Sequence, residues 1–505
     1  MQTFKAISFN DRNTKRSKVV SIAFTLKEQP LYNIVERLTS QEIRTLIGID
    51  SYNQLCNKAH EDRRNLSQFI KVLLEKALAN AESIIPMSDV TFKNSKSIPF
   101  QRWYPYIEGY SPDFVKSIIT QHLHRNCIIY EPFAGTGTTL FAADSLGYNT
   151  YYSEINPLLQ LLITTKIQVL KMPIADRQEL HDHVQSTLPK LFSFDVIGDK
   201  ELDDSYKKVF KNSVYFTDAN YSKILKAKTF LNTVKDSSVK NLLLVAVLSS
   251  LIPSSLLKKQ GDLRFKTKAE QAKGIPDFAE VLLRNINNIC DDLKAPIGEV
   301  MQQDHICIIE NAKKIKEVNC NKIGCVITSP PYLNGTNYIR NTKLELWFLG
   351  YLKSDKDLRH FRDEILTSGI NDVKLSTVPN FDIKQASALY TVTLDALQAN
   401  AYDLRIPHMA KCYFSEMYMF FEGLKDKLED GSDIFIDIGD SIFNNVHIKT
   451  DIILQEIAEF MGYELVETKK LRERRSRNGQ IISQKLIHLR YNYISVPLKW
   501  DELNN

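Results

Sequence analysis

The sequence predicts a doubly wound α/β domain that is interrupted by a long helical insertion. A short apolar run at 127–130 leads directly into a segment rich in glycine and threonine, 131–139. A second apolar segment, 150–153, follows a helical stretch and ends in Glu154. A third apolar run, 322–327, lies far downstream and leads into two prolines. Strand, glycine loop, helix and strand in this order are typical of the opening of a parallel sheet.

The same patterns divide the 505-residue chain into four predicted parts. Residues 1–95 are expected to form an N-terminal helical region, because apolar residues between 66 and 78 repeat at helical spacing. Residues 96–157 begin the α/β core, and 158–298 form a helical insertion that is a candidate for target recognition. Residues 299–500 complete the core. Within this last part we expect helices at 413–428 and 449–461, and strands at 433–438, 463–468 and 485–491.

The composition indicates a globular protein with a substantial core. The chain is 43% hydrophobic and 25% charged, and its net charge of +5 permits a nucleic-acid partner without predicting one. Residues 1–20 lack the apolar core of a secretory signal, and the run 242–253 is shorter than the roughly 20 residues that span a bilayer. Seven cysteines form no paired framework. We therefore expect a cytoplasmic protein with no metal site and no membrane contact.

The segment from Glu131 to Thr139 has the character of a cofactor-binding loop. Gly135 and Gly137 remove side chains that would keep a ligand away from the backbone, and they permit unusual dihedral angles. The loop lacks the third glycine of a dinucleotide fingerprint and the Gly-Lys-Ser/Thr ending of a phosphate-binding loop. Glu154, at the end of the next predicted strand, can accept hydrogen bonds from both hydroxyls of a ribose.

The second motif, from Thr328 to Tyr332, presents hydrogen-bond acceptors on a rigid backbone. Pro330 and Pro331 restrict the chain, so that the Ser329 hydroxyl and the Pro330 carbonyl are pre-organised. Two such acceptors can free the lone pair of an exocyclic amino nitrogen from conjugation with its ring. Tyr332 offers a flat face for stacking on an extruded base. A cysteine nucleophile after a proline, which attack on a ring carbon would need, is not present here.

Together the two motifs resemble those of the DNA amino-methyltransferases, which transfer a methyl group from S-adenosylmethionine to an amino nitrogen of cytosine or adenine. The resemblance covers 100–157 and 300–495. In this family a serine at the position of Ser329 is more typical of cytosine-N4 enzymes than of adenine-N6 enzymes. The resemblance therefore implies a restriction–modification enzyme that methylates cytosine-N4 in double-stranded DNA and protects it from a cognate restriction endonuclease. Adenine-N6 methylation, an RNA amino-methyltransferase and a non-catalytic binding module are the alternatives.

The resemblance also implies roles for individual residues. Tyr104 lies in an aromatic segment, 103–106, that would close over the methionine part of the cofactor, unless these rings belong to the core. Asp304 would hold the adenine amino group, or else cap a helix. Glu131 stands where the family usually has aspartate. The implied cofactor-binding residues are Tyr104, Glu131, Phe133, Gly135, Gly137, Thr138, Glu154 and Asp304, and the implied catalytic residues are Ser329, Pro330, Pro331 and Tyr332.

Contacts to DNA phosphates and a recognition surface are expected, because the base must leave the duplex before it can react. A basic loop is predicted between the last two strands, and its Arg474, Arg475 and Arg477 are candidates for phosphate binding. A solvated charged loop is the alternative interpretation. Asn337 and Arg340 follow the double-proline motif and are expected to line the base pocket.

Overall fold

The computed structural model describes residues 7–9, 18–20, 98–106, 109–295, 300–333, 338–379, 381–475 and 479–493. The chain divides into two units, Met1–Pro86 and Met87–Asn505. In the first unit the described residues form β1 (Ile7–Phe9) and β2 (Lys18–Val20), which pair antiparallel. The helix predicted between 66 and 78, with most of the predicted N-terminal helical region, lies outside the described residues.

The second unit alternates strands and helices around one large sheet. Its strands are β3 (Ile129–Glu131), β4 (Thr150–Tyr152), β5 (Leu257–Gln260), β6 (Asp262–Phe265), β7 (His305–Cys307), β8 (Ile323–Thr328), β9 (Leu428–Gly439), β10 (Ser441–Phe443), β11 (Val446–Ile448), β12 (Tyr463–Arg475) and β13 (Ile481–Tyr491). Its helices are α1 (Pro112–His122), α2 (Thr138–Asp144), α3 (Pro157–Leu170), α4 (Ile174–Ser193), α5 (Lys200–Phe210), α6 (Asp218–Thr233), α7 (Ser237–Leu251), α8 (Lys268–Gln271), α9 (Phe278–Lys294), α10 (Tyr338–Asn341), α11 (Lys343–Leu349), α12 (Asp357–Glu364), α13 (Ala388–Asn400), α14 (Arg405–Lys425) and α15 (Thr450–Phe460). None of these described helices is both long enough and apolar enough to cross a membrane.

The large sheet has the strand order β7–β4–β3–β8–β9–β13–β12. The strands from β7 to β9 are parallel, whereas β13 runs antiparallel to both of its neighbours. The chain builds outward from β3 through β4 to β7 and then returns to β8 on the other side of β3. The strand order therefore reverses between β3 and β8, where loops diverge and leave a crevice at the carboxyl ends. This arrangement confirms the predicted doubly wound sheet.

Both faces of the sheet are covered by helices, and this explains its continuous apolar strands. All six residues of β8 are buried. Along β9, Ile434 and Ile436 join the core beneath α14 and α15, whereas Phe435 faces the other way and packs against His122 of α1. A parallel strand that is buried on both faces is apolar throughout instead of alternating with polar residues.

The insertion is helical, as the sequence predicts, but it also contains the β5–β6 hairpin. Helix α7 is apolar on all sides, and its buried side chains form the centre of the insertion's core. That core continues into α11 through Trp347, whose Nε1 donates to the Leu202 carbonyl oxygen at 3.1 Å. The insertion therefore shares one hydrophobic core with the segment that follows the double-proline motif.

The C-terminal strands differ from the prediction. The segment from 469 to 475, predicted as a loop, continues β12 as far as Arg475. Strand β13 pairs with β9 only from Tyr491 to Gln484, and the β12–β13 ladder continues beyond the sheet as a two-stranded ribbon. The prediction of a loop was wrong because β12 is an edge strand. Its exposed positions carry charged residues, which are also typical of loops.

Asp292 on α9 ties the insertion to the segment that precedes the sheet. Its carboxylate is fully buried and accepts hydrogen bonds from the Phe100 backbone nitrogen at 2.8 Å and the Trp103 indole nitrogen at 2.9 Å. The Arg102 guanidinium donates to the same carboxylate at 2.5 Å. A buried charge with this many donors is stabilising only while every partner is present.

We expect that Asp292→Ala lowers the free energy of unfolding by about 3–5 kcal/mol, because it leaves a cation and two polar groups without their acceptor. Urea unfolding followed by circular dichroism measures the change. Asp291→Ala is the matched control, since Asp291 is exposed on the same helix and its loss should cost less than about 0.5 kcal/mol. Equal effects of the two substitutions would contradict the role given to Asp292.

Candidate active site

A cavity of about 490 Å³ lies at the carboxyl ends of β3, β4, β8 and β9, where the strand order reverses. The glycine loop lines one side, the double-proline tip another, and the ends of β9 and β13 a third. The structure thus brings together two motifs that lie far apart in the sequence. The predicted residues that line the cavity are Glu131, Phe133, Gly135, Thr138, Glu154, Ser329, Pro330, Pro331, Tyr332 and Arg474.

Glu131 joins the two motifs through its buried carboxylate. It accepts hydrogen bonds from the Thr328 hydroxyl at 2.7 Å, the Thr139 hydroxyl at 2.8 Å and the Phe133 backbone nitrogen at 3.1 Å. The Tyr110 hydroxyl is a further donor. Burial raises the pKa of Glu131, and these hydrogen bonds oppose the rise. Both oxygens are therefore engaged by the protein, and Glu131 holds the site together.

The glycines of the loop have different structural roles. Gly135 has a φ of +56°, and a Cβ there would lie 3.2 Å from the ring of Tyr106. Gly137 has a φ of +85° and begins α2, where a Cβ would lie 2.8 Å from Phe141. Gly135 lines the cavity and lets an aromatic ring approach the loop, whereas Gly137 forms the turn and does not line the cavity.

A buried lysine stabilises the glycine loop through a hydrogen bond to its backbone. Lys166 on α3 is fully buried, and its Nζ donates to the Thr136 carbonyl oxygen at 3.1 Å. Burial lowers the pKa of Lys166 to about 7. The hydrogen bond fixes one carbonyl of the loop, so the loop is held before any ligand arrives.

Glu154 lies at the end of β4 with only 8% of its surface exposed. One carboxylate oxygen accepts from the Gly135 backbone nitrogen at 2.8 Å, and the other accepts from the Asn156 backbone nitrogen at 2.8 Å. Burial raises the pKa of Glu154 to about 7. Each carboxylate oxygen has a second lone pair, so this fixed carboxylate can still accept two hydrogen bonds from a ligand.

The aromatic segment before the sheet contributes Tyr106 to the cavity, and this differs from the predicted role of Tyr104. Tyr104 is buried in the core and donates its hydroxyl proton to Glu345 at 2.8 Å. Tyr106 lines the cavity, and the Lys259 ammonium lies 5.4 Å from the centre of its ring.

Asp304 lies outside the cavity, and the role predicted for it is corrected here. It immediately precedes β7, so it lies at the amino end of the strand, and it forms an exposed ion pair with Lys171 at 3.0 Å. Glu310 and Asn311 follow the carboxyl end of β7 and line the cavity. The apolar run 306–309 ends at Glu310, and this was the sequence signal that could have identified which end of the strand faces the cavity.

The double-proline tip is held against the end of β9. A Cβ on Gly439 would lie 3.0 Å from the Tyr332 ring, so the ring packs directly on this glycine. The Ser329 hydroxyl donates to the Tyr332 hydroxyl at 3.4 Å, and the Tyr332 hydroxyl forms a hydrogen bond with Asp437. Burial, together with the charge of Asp437, raises the pKa of Tyr332 well above its usual value. The tip therefore carries a neutral tyrosine at neutral pH.

Sequence reasoning missed the polar wall at the ends of β9 and β13. Both oxygens of Asp437 accept from Gln484 Nε2, at 2.6 and 2.8 Å. Arg472 of β12 lies opposite Gln484 in the ladder and also lines the cavity. Single polar residues in a strand carry no motif, and only the pairing of the strands shows that they meet at the tip.

The predicted DNA-contacting residues lie at different places. Arg474 lines the cavity and is exposed, whereas Arg475 is exposed at the end of the ribbon and does not line the cavity. Arg340 lies on α10 and does not line the cavity either. Asn337 and Arg477 fall outside the described residues. Within the described part of the chain, no three histidine, cysteine, aspartate or glutamate side chains are grouped so that they could hold a metal ion.

The doubly wound sheet, the glycine turn, the acid after β4 and the proline tip after β8 define a protein of the Rossmann-like methyltransferase class. No family model matches the chain. The chain is, however, similar in sequence to curated methyltransferases. The chain is 27% identical over 407 residues to the Type II methyltransferase M.AvaI of Nostoc sp. (strain PCC 7120), an alignment that covers 74% of this chain and 81% of the relative.

Two further relatives carry the same designation. The Type II methyltransferase M.BsoBI of Geobacillus stearothermophilus is 24% identical over 441 residues, which cover 77% of this chain and 84% of the relative. The Type II methyltransferase M.MjaII of Methanocaldococcus jannaschii is 30% identical over 117 residues, which cover 23% and 21%. The chain is thus a homologue of the Type II methyltransferases, and the resemblance seen in its motifs is confirmed.

Proposed function

We propose that this protein transfers a methyl group from S-adenosylmethionine to the N4 amino nitrogen of cytosine at a specific site in double-stranded DNA. The observation that carries the proposal is the shared cavity, which combines a ribose-binding carboxylate, Glu154, with amino-directed acceptors at Ser329 and Pro330. Type II methyltransferases are the modification enzymes of restriction–modification systems. The homology therefore supports DNA as the substrate and pairing with a restriction endonuclease.

The residues on the glycine-loop side fit S-adenosylmethionine. Glu154 is fixed by two backbone nitrogens and can accept two ribose hydroxyl protons. Gly135 and the ring of Tyr106 lie side by side in the cavity lining, so the methionine part of the cofactor can lie against both. Glu310 and Asn311 offer acceptors and donors to an adenine ring. A cavity of about 490 Å³ is in the range for cofactor sites. The cofactor supplies an activated methyl group on its sulfonium sulfur.

The tip residues prepare the amino nitrogen for transfer. The Ser329 hydroxyl oxygen and the Pro330 carbonyl oxygen accept from its two N–H groups, and this draws the nitrogen towards tetrahedral geometry. Because the two prolines fix these acceptors, little reorganisation is needed when the base arrives. The free face of the Tyr332 ring stacks on the extruded base. Orientation of the nitrogen towards the methyl group then supplies most of the rate enhancement.

The serine at the tip favours cytosine-N4 over adenine-N6, since serine before the two prolines is more typical of cytosine enzymes in the family that the motifs resemble. Adenine-N6 methylation is the alternative, and it uses the same cavity and the same acceptors. The designation of the relatives as Type II methyltransferases favours DNA over RNA.

The β12–β13 ribbon is suited to contact DNA beside the cavity. It extends past the sheet as two antiparallel strands, a shape that the major groove of DNA admits. Arg474 and Arg475 are exposed at its end, and Lys469 and Lys470 are exposed further along β12. These cations can neutralise phosphates on either side of the target base.

We expect that Ser329→Ala slows methyl transfer by about 10²–10³-fold, because one pre-organised acceptor is lost, while affinity for S-adenosylhomocysteine is unchanged. Unmodified bacterial DNA is incubated with labelled S-adenosylmethionine, and the nucleosides are analysed by mass spectrometry. Ser145→Ala, directly after α2 and away from the cavity, is the matched control. N4-methylcytosine made by the wild-type protein but not by Ser329→Ala would support the proposal. N6-methyladenine would show that the target base is adenine, and methylation of RNA alone would show that the substrate is not DNA.

We expect that affinity for S-adenosylhomocysteine falls as the pH drops below about 7. The ionised Glu154 carboxylate accepts the ribose protons, and its pKa of about 7 means that it binds a proton below that pH. Glu154→Gln should weaken binding at pH 8 by about 10–100-fold and abolish the pH dependence. Calorimetric titration between pH 6 and 8 measures both. Asp304→Asn is the control, and a loss of affinity in that variant would restore the role first predicted for Asp304.

We expect that Arg474→Gln and Arg475→Gln weaken DNA binding for all sequences and each reduce the slope of log affinity against log salt by about 1. The reason is that each variant neutralises one phosphate fewer, so binding releases one counterion fewer from the DNA. Fluorescence anisotropy of a labelled duplex in increasing salt measures the slope. Lys322→Gln, at the amino end of β8 and away from the cavity, should leave the slope unchanged. A slope that the arginine variants do not alter would exclude the ribbon from the DNA interface.

A further inference from the structure

The tip contains a hydroxyl whose hydrogen-bond direction decides whether it can act. Ser329 can donate one proton and accept through two lone pairs. If it donated to the amino nitrogen, it would occupy the lone pair that must attack the methyl group. The reaction under the proposed function, on which this inference rests, therefore requires Ser329 to be an acceptor towards the substrate.

A chain of hydrogen bonds leads from Ser329 to a buried carboxylate. The Ser329 hydroxyl lies 3.4 Å from the Tyr332 hydroxyl, and that hydroxyl forms a hydrogen bond with Asp437. Asp437 is 2% exposed, and both its oxygens also accept from Gln484 Nε2, at 2.6 and 2.8 Å. An ionised carboxylate can only accept hydrogen bonds, so it fixes the direction of every bond in the chain.

We propose that Asp437 is a positioning residue that makes Ser329 an acceptor for the substrate's amino group. Because Asp437 accepts, Tyr332 must donate to it. The Tyr332 oxygen is then available as an acceptor, and Ser329 gives its only proton to it. The lone pairs of Ser329 are left for the substrate. Gln484 holds Asp437 in place by donating to both of its carboxylate oxygens.

The surroundings of Asp437 keep it ionised at neutral pH. Burial raises its pKa to about 6, whereas hydrogen bonds from Gln484 and Tyr332 and the positive charge of Arg472 lower it. Tyr110 also interacts with it, and the Asp437 charge helps to raise the pKa of that buried phenol. As the pH falls through about 6, Asp437 binds a proton and can donate to Tyr332. The direction of the chain is then no longer fixed.

The first test compares two aspartates on the same strand. Asp437→Asn places an amide that can donate to Tyr332, and we expect the rate at saturating S-adenosylmethionine to fall by about 10–100-fold. Affinity for S-adenosylhomocysteine should be unchanged, and the decline in wild-type rate below pH 6 should disappear. Asp433→Asn is the matched control, because Asp433 pairs with His488 and Arg490 outside the cavity. Asp437→Asn with the wild-type rate and pH profile would overturn the proposal.

The second test asks whether Asp437 acts through Ser329. In the Ser329→Ala background, Asp437→Asn should have little further effect, because the hydroxyl that it orients is gone. Additive losses would overturn the proposal. Tyr332→Phe keeps the ring but breaks the chain, so it should show the same non-additivity even if Asp437→Asn unfolds. A wild-type protein that transfers no methyl group would overturn the proposed function as well, whereas an active protein with additive losses would overturn this inference alone.

Discussion

The buried carboxylate of Glu131 is the interaction on which the rest of the site depends. It accepts from Phe133 in the glycine loop and from Thr328, which immediately precedes Ser329 at the tip. A carboxylate removed from water is costly unless donors surround it, so the two motifs are held in one arrangement by the need to satisfy that charge. Thr139 and Tyr110 complete the set and connect α2 and the segment before α1 to the same point. The glycine loop and the double-proline tip are thereby held at a fixed distance from each other.

The reversal of strand order explains why two distant motifs share one cavity. Strands β3 and β8 are neighbours in the sheet although the whole insertion lies between them in the chain. The insertion is in turn anchored beside the tip. Asn156 at the start of α3 donates to Thr342 at 3.0 Å, and Asn341 accepts from Leu263 of the β5–β6 hairpin at 2.9 Å. These hydrogen bonds join the insertion to the segment around α10, which follows the tip in the chain.

The sequence predicted the strand ends and their motifs because local composition determines them. Glycines at a turn, prolines after an apolar strand and an acid at a strand end carry their chemistry in single residues. The prediction errors arose at residues whose surroundings depend on how distant segments pair in the fold. The role of Asp304 was taken from the family resemblance, but Asp304 lies at the amino end of β7, whereas Glu310 and Asn311 follow its carboxyl end and line the cavity. The second half of strand β12, 469–475, was predicted as a loop because an edge strand exposes its charges. Asp437 has no local signal, since its importance depends on strands β9 and β13 and the tip meeting in space.

The most direct test of this account is a crystal structure with S-adenosylhomocysteine bound. We expect the ribose hydroxyls within hydrogen-bond distance of Glu154, and the sulfur atom between the glycine loop and Ser329, facing the acceptors of the tip. Adenosine bound elsewhere, or a sulfur atom that faces away from Ser329, would contradict the claim that one cavity brings methyl donor and amino acceptor together.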